Sequence, residues 1–324
     1  MNIAILGGCG YVSSALVPAL LDYGYNVKVI DLLWFGNHLP KEVNVIQKDL
    51  FECTEKDFEG IDVCVNLSGY SSDPMAEFDP VRCFIYNASM PLYLALMAKR
   101  AGVKRFIQAS SASVYGFTFN ELYKEDAIVK CDFPYGNSKY ASEQGLMHLQ
   151  DNKFSVICLR KGTISGYSPR LRLDLIVNQM FKTAMTNERI IINNPSIWRP
   201  ILSVKSAVSS YIRSLQVNES ISGIFNVCDE NYTVSEIAEI VKLTIEKRTG
   251  KKISFDVKNI KDVRNYKIDI TKAKTILGFH PRYTVEDIVD DLLDNWDKFK
   301  DDINDDKYYN INVCKKIFKE KVKL

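Results

Sequence analysis

The stretch that decides the fold is Ile3-Ala4-Ile5-Leu6-Gly7-Gly8-Cys9-Gly10-Tyr11-Val12-Ser13, in which a short apolar run ends in a glycine-rich turn. The apolar run predicts a buried strand, and residues 16–21 predict a helix after the turn. Val27-Lys28-Val29-Ile30 then predicts a second strand. Strand, turn, helix and strand make one βαβ unit, whose two strands run parallel.

The alternation of strands and helices continues outward from this unit. Strands are predicted at 43–46, 63–67, 105–108 and 155–159, separated by helical stretches such as 86–101. This order predicts an α/β fold with a doubly wound parallel (Rossmann) sheet and a smaller mixed α/β substrate domain. We expect 1–168 plus about 200–230 to form the first domain, and about 169–199 plus 231–299 the second. The charged tail, 300–324, is expected to end in a docked or frayed helix, because Val313, Ile317 and Phe318 have helical spacing.

Composition excludes several classes of protein. The 324 residues carry 42 Lys and Arg against 40 Asp and Glu, a net charge of +2 that argues against a nucleic-acid groove or an anionic membrane surface. Eight scattered cysteines without a C-x-x-C pair, and three histidines, predict reduced thiols and no metal site. Without an apolar run of about 18 residues or a leader pattern, the sequence predicts a cytoplasmic protein that contacts no membrane.

The glycine-rich turn has the features of a phosphate-binding loop. Gly7 and Gly10 lie between a predicted strand and a predicted helix, where backbone N–H groups approach a pyrophosphate. Ser13 occupies the third small position of the loop, where its side chain must fit against the strand. Asp31 ends the second strand, where a carboxylate binds the two hydroxyls of an adenosine ribose and repels a 2′-phosphate. These residues favour NAD over NADP as the cofactor.

Two further segments carry groups suited to proton transfer. Tyr135 and Lys139 are four residues apart, and therefore on one face of a helix that starts after Pro134. A nearby Lys⁺ favours the phenolate, which lets a tyrosine take a proton from an alcohol. Ser111, in Ser110-Ser111-Ala112-Ser113-Val114-Tyr115-Gly116, follows a predicted strand and emerges at the carboxyl edge of the sheet, where ligands of doubly wound folds bind.

The chain carries, in this order, the glycine-rich loop, the acidic residue Asp31, the serine segment and a Tyr-x-x-x-Lys pattern. This combination resembles the extended short-chain dehydrogenase/reductase family of nucleotide-sugar epimerases and dehydratases. The resemblance covers about residues 1–299. It implies that Ser111 binds the reacting hydroxyl, that Tyr135 is the acid/base, and that Lys139 binds the nicotinamide ribose. It implies NAD as cofactor, with further contacts from Gly7, Gly10, Tyr11, Val12, Asp31, Leu32, Asp49, Leu50, Leu67, Ser68, Gly69, Asn87 and Gly162.

The resemblance also implies a nucleotide-diphospho-sugar substrate and a partner subunit. Its substrate-binding positions are Ser111, Thr163, Asn178, Arg199 and Arg264, the two arginines clamping the diphosphate. Relatives form homodimers through a four-helix bundle, here built from helices near 86–100 and 135–149. The departures from the family pattern are Ser13 in the glycine loop, Asn66 in place of a histidine, and Ser203, likewise in place of a histidine.

The residues after Ser111 limit which of the family's reactions we expect. Dehydratases of the family place acidic residues there, and 3,5-epimerase/reductases use cysteine and histidine, whereas this chain has Ala112 and Ser113. The expected chemistry is therefore hydride transfer at sugar C4. We expect an NDP-sugar 4-epimerase in surface-polysaccharide precursor synthesis. An NDP-sugar C4 dehydrogenase or 4-ketoreductase, for example one acting on GDP-heptose, and a non-catalytic NAD-binding scaffold remain alternatives.

Overall fold

Seven parallel strands form the central sheet of the computed structural model, which describes residues 1–259 and 265–321. Their order across the sheet is β11-β7-β5-β4-β1-β2-β3, so the chain winds outward in both directions from β1. The strands of this sheet are β1 (Asn2–Leu6), β2 (Asn26–Asp31), β3 (Asn44–Gln47), β4 (Val63–Asn66), β5 (Arg105–Ser111), β7 (Ser155–Lys161) and β11 (Gly223–Val227). The predicted doubly wound α/β fold is confirmed.

Helices cover both faces of the sheet because successive strand residues point to opposite sides. In β1, Ile3 and Ile5 belong to one hydrophobic core, and Ala4 and Leu6 to the other. The helices are α1 (Ser13–Asp22), α2 (Asp73–Phe78), α3 (Pro80–Phe84), α4 (Met90–Arg100), α5 (Pro134–Met147), α6 (Ile176–Asn187), α7 (Val204–Gln216), α8 (Val234–Thr249), α9 (Val285–Asp294) and α10 (Asn310–Lys321). Helices α1 and α7 cover one face, and α4 and α5 cover the other.

Three small sheets accompany the central one. They are built from β6 (Phe117–Tyr123) with β14 (Asn265–Ile268), β9 (Arg189–Asn193) with β13 (Ser254–Lys258), and β10 (Trp198–Ser203) between β8 (Thr163–Ser165) and β12 (Glu230–Thr233). Helices α6, α8 and α9 pack around β9 and β10. This second cluster of elements is mixed α/β, because β12 runs antiparallel to β10 whereas β8 runs parallel to it.

Helices α3 and α4 are continuous through a π turn at Ile85–Ser89. The resulting helix, Pro80–Arg100, is long and apolar enough to cross a membrane by length and composition alone. Half of the most apolar stretch of this helix is buried inside the protein, where Leu94, Ala95 and Ala98 pack against the central sheet. One side of this helix thus packs on the core, and Val81, Phe84 and Ile85 at its start are exposed.

Helix α10 packs against the main body at the loops that follow β2 and β4. Cys314 and Phe318 are buried in a cluster with Tyr70 and Met75. The ring of Trp34 meets that of Phe318 edge-on, with centroids 5.3 Å apart. The charged tail therefore carries an apolar stripe that holds its terminal helix in place.

Candidate functional site

One cavity of about 650 Å³ opens at the carboxyl ends of β1, β2, β4, β5 and β7. Most of the residues predicted from the sequence line it, although they come from distant parts of the chain. They are Gly7, Gly10, Tyr11, Val12, Asp31, Leu32, Asp49, Leu50, Leu67, Ser68, Gly69, Ser111, Tyr135, Lys139, Gly162, Thr163 and Arg199. Asn87 and Asn178 do not line it, and Arg264 lies outside the described residues.

The glycine-rich turn leaves room for a ligand at the start of α1. Gly7 has φ +74°, and a Cβ there would lie 2.7 Å from Cα of Ser68, so only glycine fits. Ser13 is accommodated because its Oγ donates to the carbonyl of Gly7 at 2.7 Å. Among the described residues, no side chain caps α1 and none in its first turn is acidic, which leaves its N-terminus favourable for a phosphate.

The carboxylate of Asp31 is fixed by the main chain at the end of β2. Its oxygens accept hydrogen bonds from the N–H of Cys9 at 2.9 Å and of Leu33 at 2.6 Å. Burial raises the pKa of Asp31, and these two bonds act in the opposite direction. The carboxylate thus faces the cavity in a defined orientation, as recognition of a ribose diol requires.

Ser111 ends β5 and is oriented by Ser113, a residue whose role was not foreseen from the sequence. Both the N–H of Ser113, at 3.2 Å, and its hydroxyl, at 2.8 Å, donate to Oγ of Ser111. Because these two bonds use the acceptor capacity of Ser111, its own proton is directed outward as a donor. The pair of serines therefore presents one O–H group to the cavity.

Tyr135 and Lys139 project from α5 beside Ser111. The Lys139 ammonium donates to the carbonyl of Ala109 at 3.1 Å and lies 5.9 Å from the centroid of the Tyr135 ring. Burial lowers the pKa of Lys139 to about 8. Burial also raises the pKa of Tyr135, and the hydrogen bond with Ser111 opposes that effect. The lowering of the tyrosine pKa expected from the sequence is thus outweighed by burial in this structure.

Lys161 is a second lysine in the cavity that sequence reasoning did not single out. It ends β7 directly beside Ser111 in the sheet register. Its ammonium donates to the hydroxyl of Tyr211 at 2.7 Å, and burial lowers its pKa to about 7. A lysine in an otherwise buried strand was the available signal, because such a position normally holds an apolar residue.

Several predicted residues have structural contacts that explain why they occur. A Cβ at Gly162 would lie 2.6 Å from the carbonyl oxygen of Pro200, so glycine permits β7 and β10 to approach. The amide of Asn178 bonds to Tyr11, Gly166 and the carbonyl of Arg172, which ties the wall of the cavity together. The amide nitrogen of Asn87 donates to the carbonyl of Tyr70 at 3.1 Å. Ligand contacts by Asn87 and Asn178 stay predictions.

The other two departures from the family pattern are also accounted for. Asn66 is fully buried, where it donates to Gln108 at 2.9 Å and accepts from both the N–H and the hydroxyl of Ser68. Ser203 caps α7, its Oγ accepting from the N–H of Ser206 at 3.0 Å. Both residues support the loops and helices around the cavity.

The sequence patterns did not assign the two arginines of residues 170–174 to the site. Arg170, Arg172 and Asp174 line the cavity, whereas the leucines between them, Leu171 and Leu173, are buried in the core. The strict alternation of charged and apolar residues was the signal that could have found them. Arg172 forms a bidentate ion pair with Asp174, with both N···O distances 2.9 Å.

Comparisons with known proteins identify the family. The model of the NAD dependent epimerase/dehydratase family matches residues 3–228. UDP-glucose 4-epimerase of Bacillus subtilis (strain 168) is 24% identical over 333 residues, covering 91% of this chain and 96% of the relative. UDP-glucuronic acid decarboxylase 3 of Arabidopsis thaliana is 26% identical over 303 residues, covering 87% and 85%.

The fold is shared with solved structures. A UDP-glucuronic acid 4-epimerase from Bacillus cereus, in complex with UDP-glucuronic acid and NAD, superposes with a TM-score of 0.79 at 22% identity. The match covers 92% of this chain and 99% of that one. The family model extends over the glycine loop, Asp31 and the Ser111, Tyr135 and Lys139 group. The chain belongs to the NAD-dependent epimerase/dehydratase family, and it is an enzyme of the extended short-chain dehydrogenase/reductase type that uses NAD.

Proposed function

We propose that this protein is a nucleotide-diphospho-sugar 4-epimerase. The observation that carries the proposal is the convergence of Ser111, Tyr135 and Lys139 in the same cavity as the phosphate-binding loop. Oxidation at C4 needs a proton acceptor near a hydroxyl and a hydride acceptor near the same carbon. Ala112 and Ser113 follow Ser111, so that loop offers no carboxylate for dehydration.

NAD fits the dinucleotide half of the cavity. Gly7 and Gly10 with the start of α1 would receive the phosphates, and Asp31 the adenosine ribose. Asp49, Leu50 and Leu67 would border the adenine, and Tyr135, Lys139 and Gly162 the nicotinamide side, with Tyr11, Val12, Leu32, Ser68 and Gly69 along the wall. When bound, NAD⁺ supplies a hydride acceptor and a positive charge that favours the phenolate of Tyr135.

The residues of this chain then handle the proton. The single O–H of Ser111 hydrogen-bonds the oxygen of Tyr135, and it would turn to the oxygen of the sugar C4 hydroxyl when the substrate binds. Tyr135 takes the proton from that hydroxyl and returns it after the sugar has presented its other face. The Lys139 ammonium, held by Ala109, favours the charged form of Tyr135.

The sugar nucleotide would occupy the rest of the cavity, between the central sheet and the second cluster of elements. Thr163 and Arg199 line this part, together with Gln179, Thr183 and Asn193 of α6 and β9. The Arg199 guanidinium lies 5.7 Å from the Tyr266 ring centroid, and a guanidinium fork suits a diphosphate. Arg264 stays a prediction as its companion, and the sugar and the nucleotide base are left open.

The decisive variant is Tyr135→Phe, tested on a panel of UDP-, GDP-, CDP- and dTDP-sugars. Turnover should fall by orders of magnitude, with NAD still bound, because the phenylalanine has no proton acceptor. The assay follows the C4 configuration of the product by NMR and the reduction of the cofactor by absorbance. The wild-type enzyme should interconvert C4 epimers without net reduction of NAD.

Other outcomes would contradict the proposal in different ways. Accumulation of NADH together with a 4-keto product would identify a dehydrogenase. Near-normal turnover by Tyr135→Phe would show that Tyr135 is not the proton acceptor. Failure of every sugar nucleotide to react, with NAD bound, would identify a non-catalytic scaffold.

We further propose a cytoplasmic homodimer in which each subunit has two domains. The division of the chain into 1–168 plus about 200–230, and about 169–199 plus 231–299, is supported by β11, which returns to pair with β7. A four-helix bundle of Pro80–Arg100 and α5 from two subunits is supported by exposed apolar side chains on that helix, Val81, Phe84 and Ile85.

A further inference from the structure

Arg170 is a buried cation whose guanidinium has few direct partners among the described residues, although the carboxylates of Asp31 and Asp174 act on it from a distance. The residue is 3% exposed, and no carboxylate among the described residues forms an ion pair with it. One terminal nitrogen, Nη2, donates to Oδ1 of Asn310 at 2.5 Å and to the carbonyl of Lys307 at 3.4 Å. Within the described part of the chain, Nε and Nη1 have no hydrogen-bond partner. A buried, unpaired guanidinium is costly unless an anion binds it.

The neighbouring Arg172 shows the contrast. Its guanidinium is also buried, but Asp174 neutralises it through two hydrogen bonds. Burial and then the charge of Arg172 lower the pKa of Arg170 to about 9, and the charges of Asp174 and Asp31 act in the opposite direction. Arg170 is still protonated at neutral pH, so it offers a ligand a positive charge that no ion pair within the described residues engages.

The backbone places Arg170 directly over the start of α1. Its N–H donates to Oγ of Ser14 at 3.2 Å, and Ser168 donates to the carbonyl of Tyr11 at 2.6 Å. The guanidinium carbon lies 3.9 Å from the centroid of Phe35, in the loop that follows Asp31. Arg170 is thus held between the phosphate-binding turn and the carboxylate expected to bind the adenosine ribose. In a dinucleotide, the diphosphate is bonded to the adenosine ribose, so a diphosphate bound at the turn lies next to a ribose bound at the carboxylate.

We propose that Arg170 binds the diphosphate of NAD, and that Asn310 of α10 positions its guanidinium. The N–H groups at the start of α1 bind phosphate oxygens, and the planar fork of Arg170 supplies further charged donors. The proposal concerns cofactor binding and does not depend on which reaction the sugar undergoes.

Asn310 connects this contact to the C-terminal helix. Its side chain is 5% exposed and lines the cavity, and its Nδ2 donates to Oγ of Ser71 at 2.7 Å while Oδ1 accepts from Arg170. Cys314 and Phe318 anchor the same helix in the cluster with Tyr70. A segment beyond residue 299, the limit of the family resemblance, therefore completes the cofactor cavity.

The test measures the binding of cofactor fragments by calorimetry to the full-length protein, freed of bound nucleotide. The probes are ADP-ribose, adenosine and adenosine 2′-monophosphate. Arg170→Gln should weaken ADP-ribose about 10- to 100-fold, the range expected for lost charge-assisted hydrogen bonds, and leave adenosine nearly unchanged. Retained adenosine binding and an unchanged melting temperature show that the variant is folded.

A matched pair on α10 tests the positioning role. Asn310→Ala should weaken ADP-ribose by a smaller factor, about 3- to 10-fold, because Arg170 keeps its charge but loses its fixed orientation. Asn312→Ala is the control, since Asn312 belongs to the same helix and bonds to Asp306 instead of the cavity. It should bind all three probes as the wild type does.

Three results would overturn the proposal. Equal losses for adenosine and ADP-ribose would mean that Arg170 only supports the Phe35 loop. A loss confined to adenosine 2′-monophosphate would mean that it binds a 2′-phosphate. No loss of affinity for any probe would show that Arg170 does not bind the cofactor. Because no sugar nucleotide is present, none of these results depends on the proposed epimerase activity.

Discussion

The hydroxyl of Ser111 has a defined direction because another serine two residues later fills its acceptor positions. Ser113 makes both contacts from the short 3₁₀ turn Ala112–Tyr115 that directly follows β5. A hydroxyl with its lone pairs occupied can act only as a donor, and the nearby oxygen of Tyr135 benefits from that donor. We infer that Ser113 is a positioning residue, which acts on the tyrosine through Ser111.

Ser113→Ala should change the pH profile of the enzyme as well as its rate. Loss of the Ser113 hydroxyl loosens Ser111, which weakens the hydrogen bond that lowers the pKa of Tyr135. The pKa of Tyr135 then rises, so the limb of the kcat profile that reports the base moves to higher pH. We expect kcat at neutral pH to fall about tenfold, the effect of one ordinary hydrogen bond, with NAD affinity unchanged.

The measurement is the pH dependence of kcat and kcat/KM for the wild type and the variant. A serine that only supports the fold would lower activity at every pH by the same factor. A profile with its limb at the wild-type position would therefore contradict the positioning role.

A buried ion pair joins helix α5, which carries Tyr135 and Lys139, to the sheet. Glu143 of α5 accepts two hydrogen bonds from Arg160 of β7, at 3.0 and 2.8 Å, and both side chains are almost inaccessible, at 0% and 2%. Ser110 of β5 donates to the same carboxylate, and Tyr115 accepts from Arg160 at 2.8 Å. This network fixes α5, and with it Tyr135 and Lys139, relative to the strand that carries Ser111.

Glu143→Gln should lower the free energy of unfolding by about 3–5 kcal/mol, because it leaves the Arg160 charge buried and uncompensated. The measurement is urea unfolding followed by circular dichroism. The control is Asp290→Asn, which removes an exposed partner of Arg248 and should cost less than about 1 kcal/mol. Equal small losses for both variants would show that the buried network does not hold α5.

The elements of the sheet were predictable from the sequence because their local signals agree. Apolar runs ended by glycine or aspartate marked β1 and β2, and the order of strands and helices fixed the parallel sheet. Gly7, Asp31, Ser111, Tyr135 and Lys139 follow strand ends or helix starts, and doubly wound topology brings these together.

Other parts of the site depend on contacts between distant segments, which no local pattern shows. Arg170 reaches Phe35 and Asn310 only because residues 168–170 pack on α1. Ser113 owes its role to a 3₁₀ turn that the sequence alone does not distinguish from other loops. Arg264 lies outside the described residues, so its role stays a prediction.

At the scale of the whole molecule, the long helix Pro80–Arg100 presents apolar side chains to solvent. Val81 is 69% exposed, Phe84 41% and Ile85 40%, and their spacing places them on adjoining positions of one face. Exposed large apolar residues that cluster on a helix mark a surface that another chain can cover. The same helix borders α5, so the two form a continuous surface of the kind a helical bundle needs.

Replacing Phe84 and Ile85 together by glutamate should convert the proposed dimer to a monomer, because the charges would be buried in the proposed interface. Sedimentation velocity over a range of protein concentrations measures the change. Ile128→Glu is the control, as Ile128 is 79% exposed in the segment between β6 and α5 and should leave the assembly unchanged. A wild-type protein that sediments as a monomer would contradict the proposed assembly.

The cofactor cavity gathers its walls from almost the full length of the chain, from Gly7 in the first loop to Asn310 and Ile311 in α10. During synthesis on a ribosome, the glycine turn and the parallel sheet can form long before those last two residues emerge. The pocket is then still open on the side that α10 covers. We therefore expect full retention of the dinucleotide only after α10 has docked, and a variant that weakens this docking should lose the cofactor before it loses the fold.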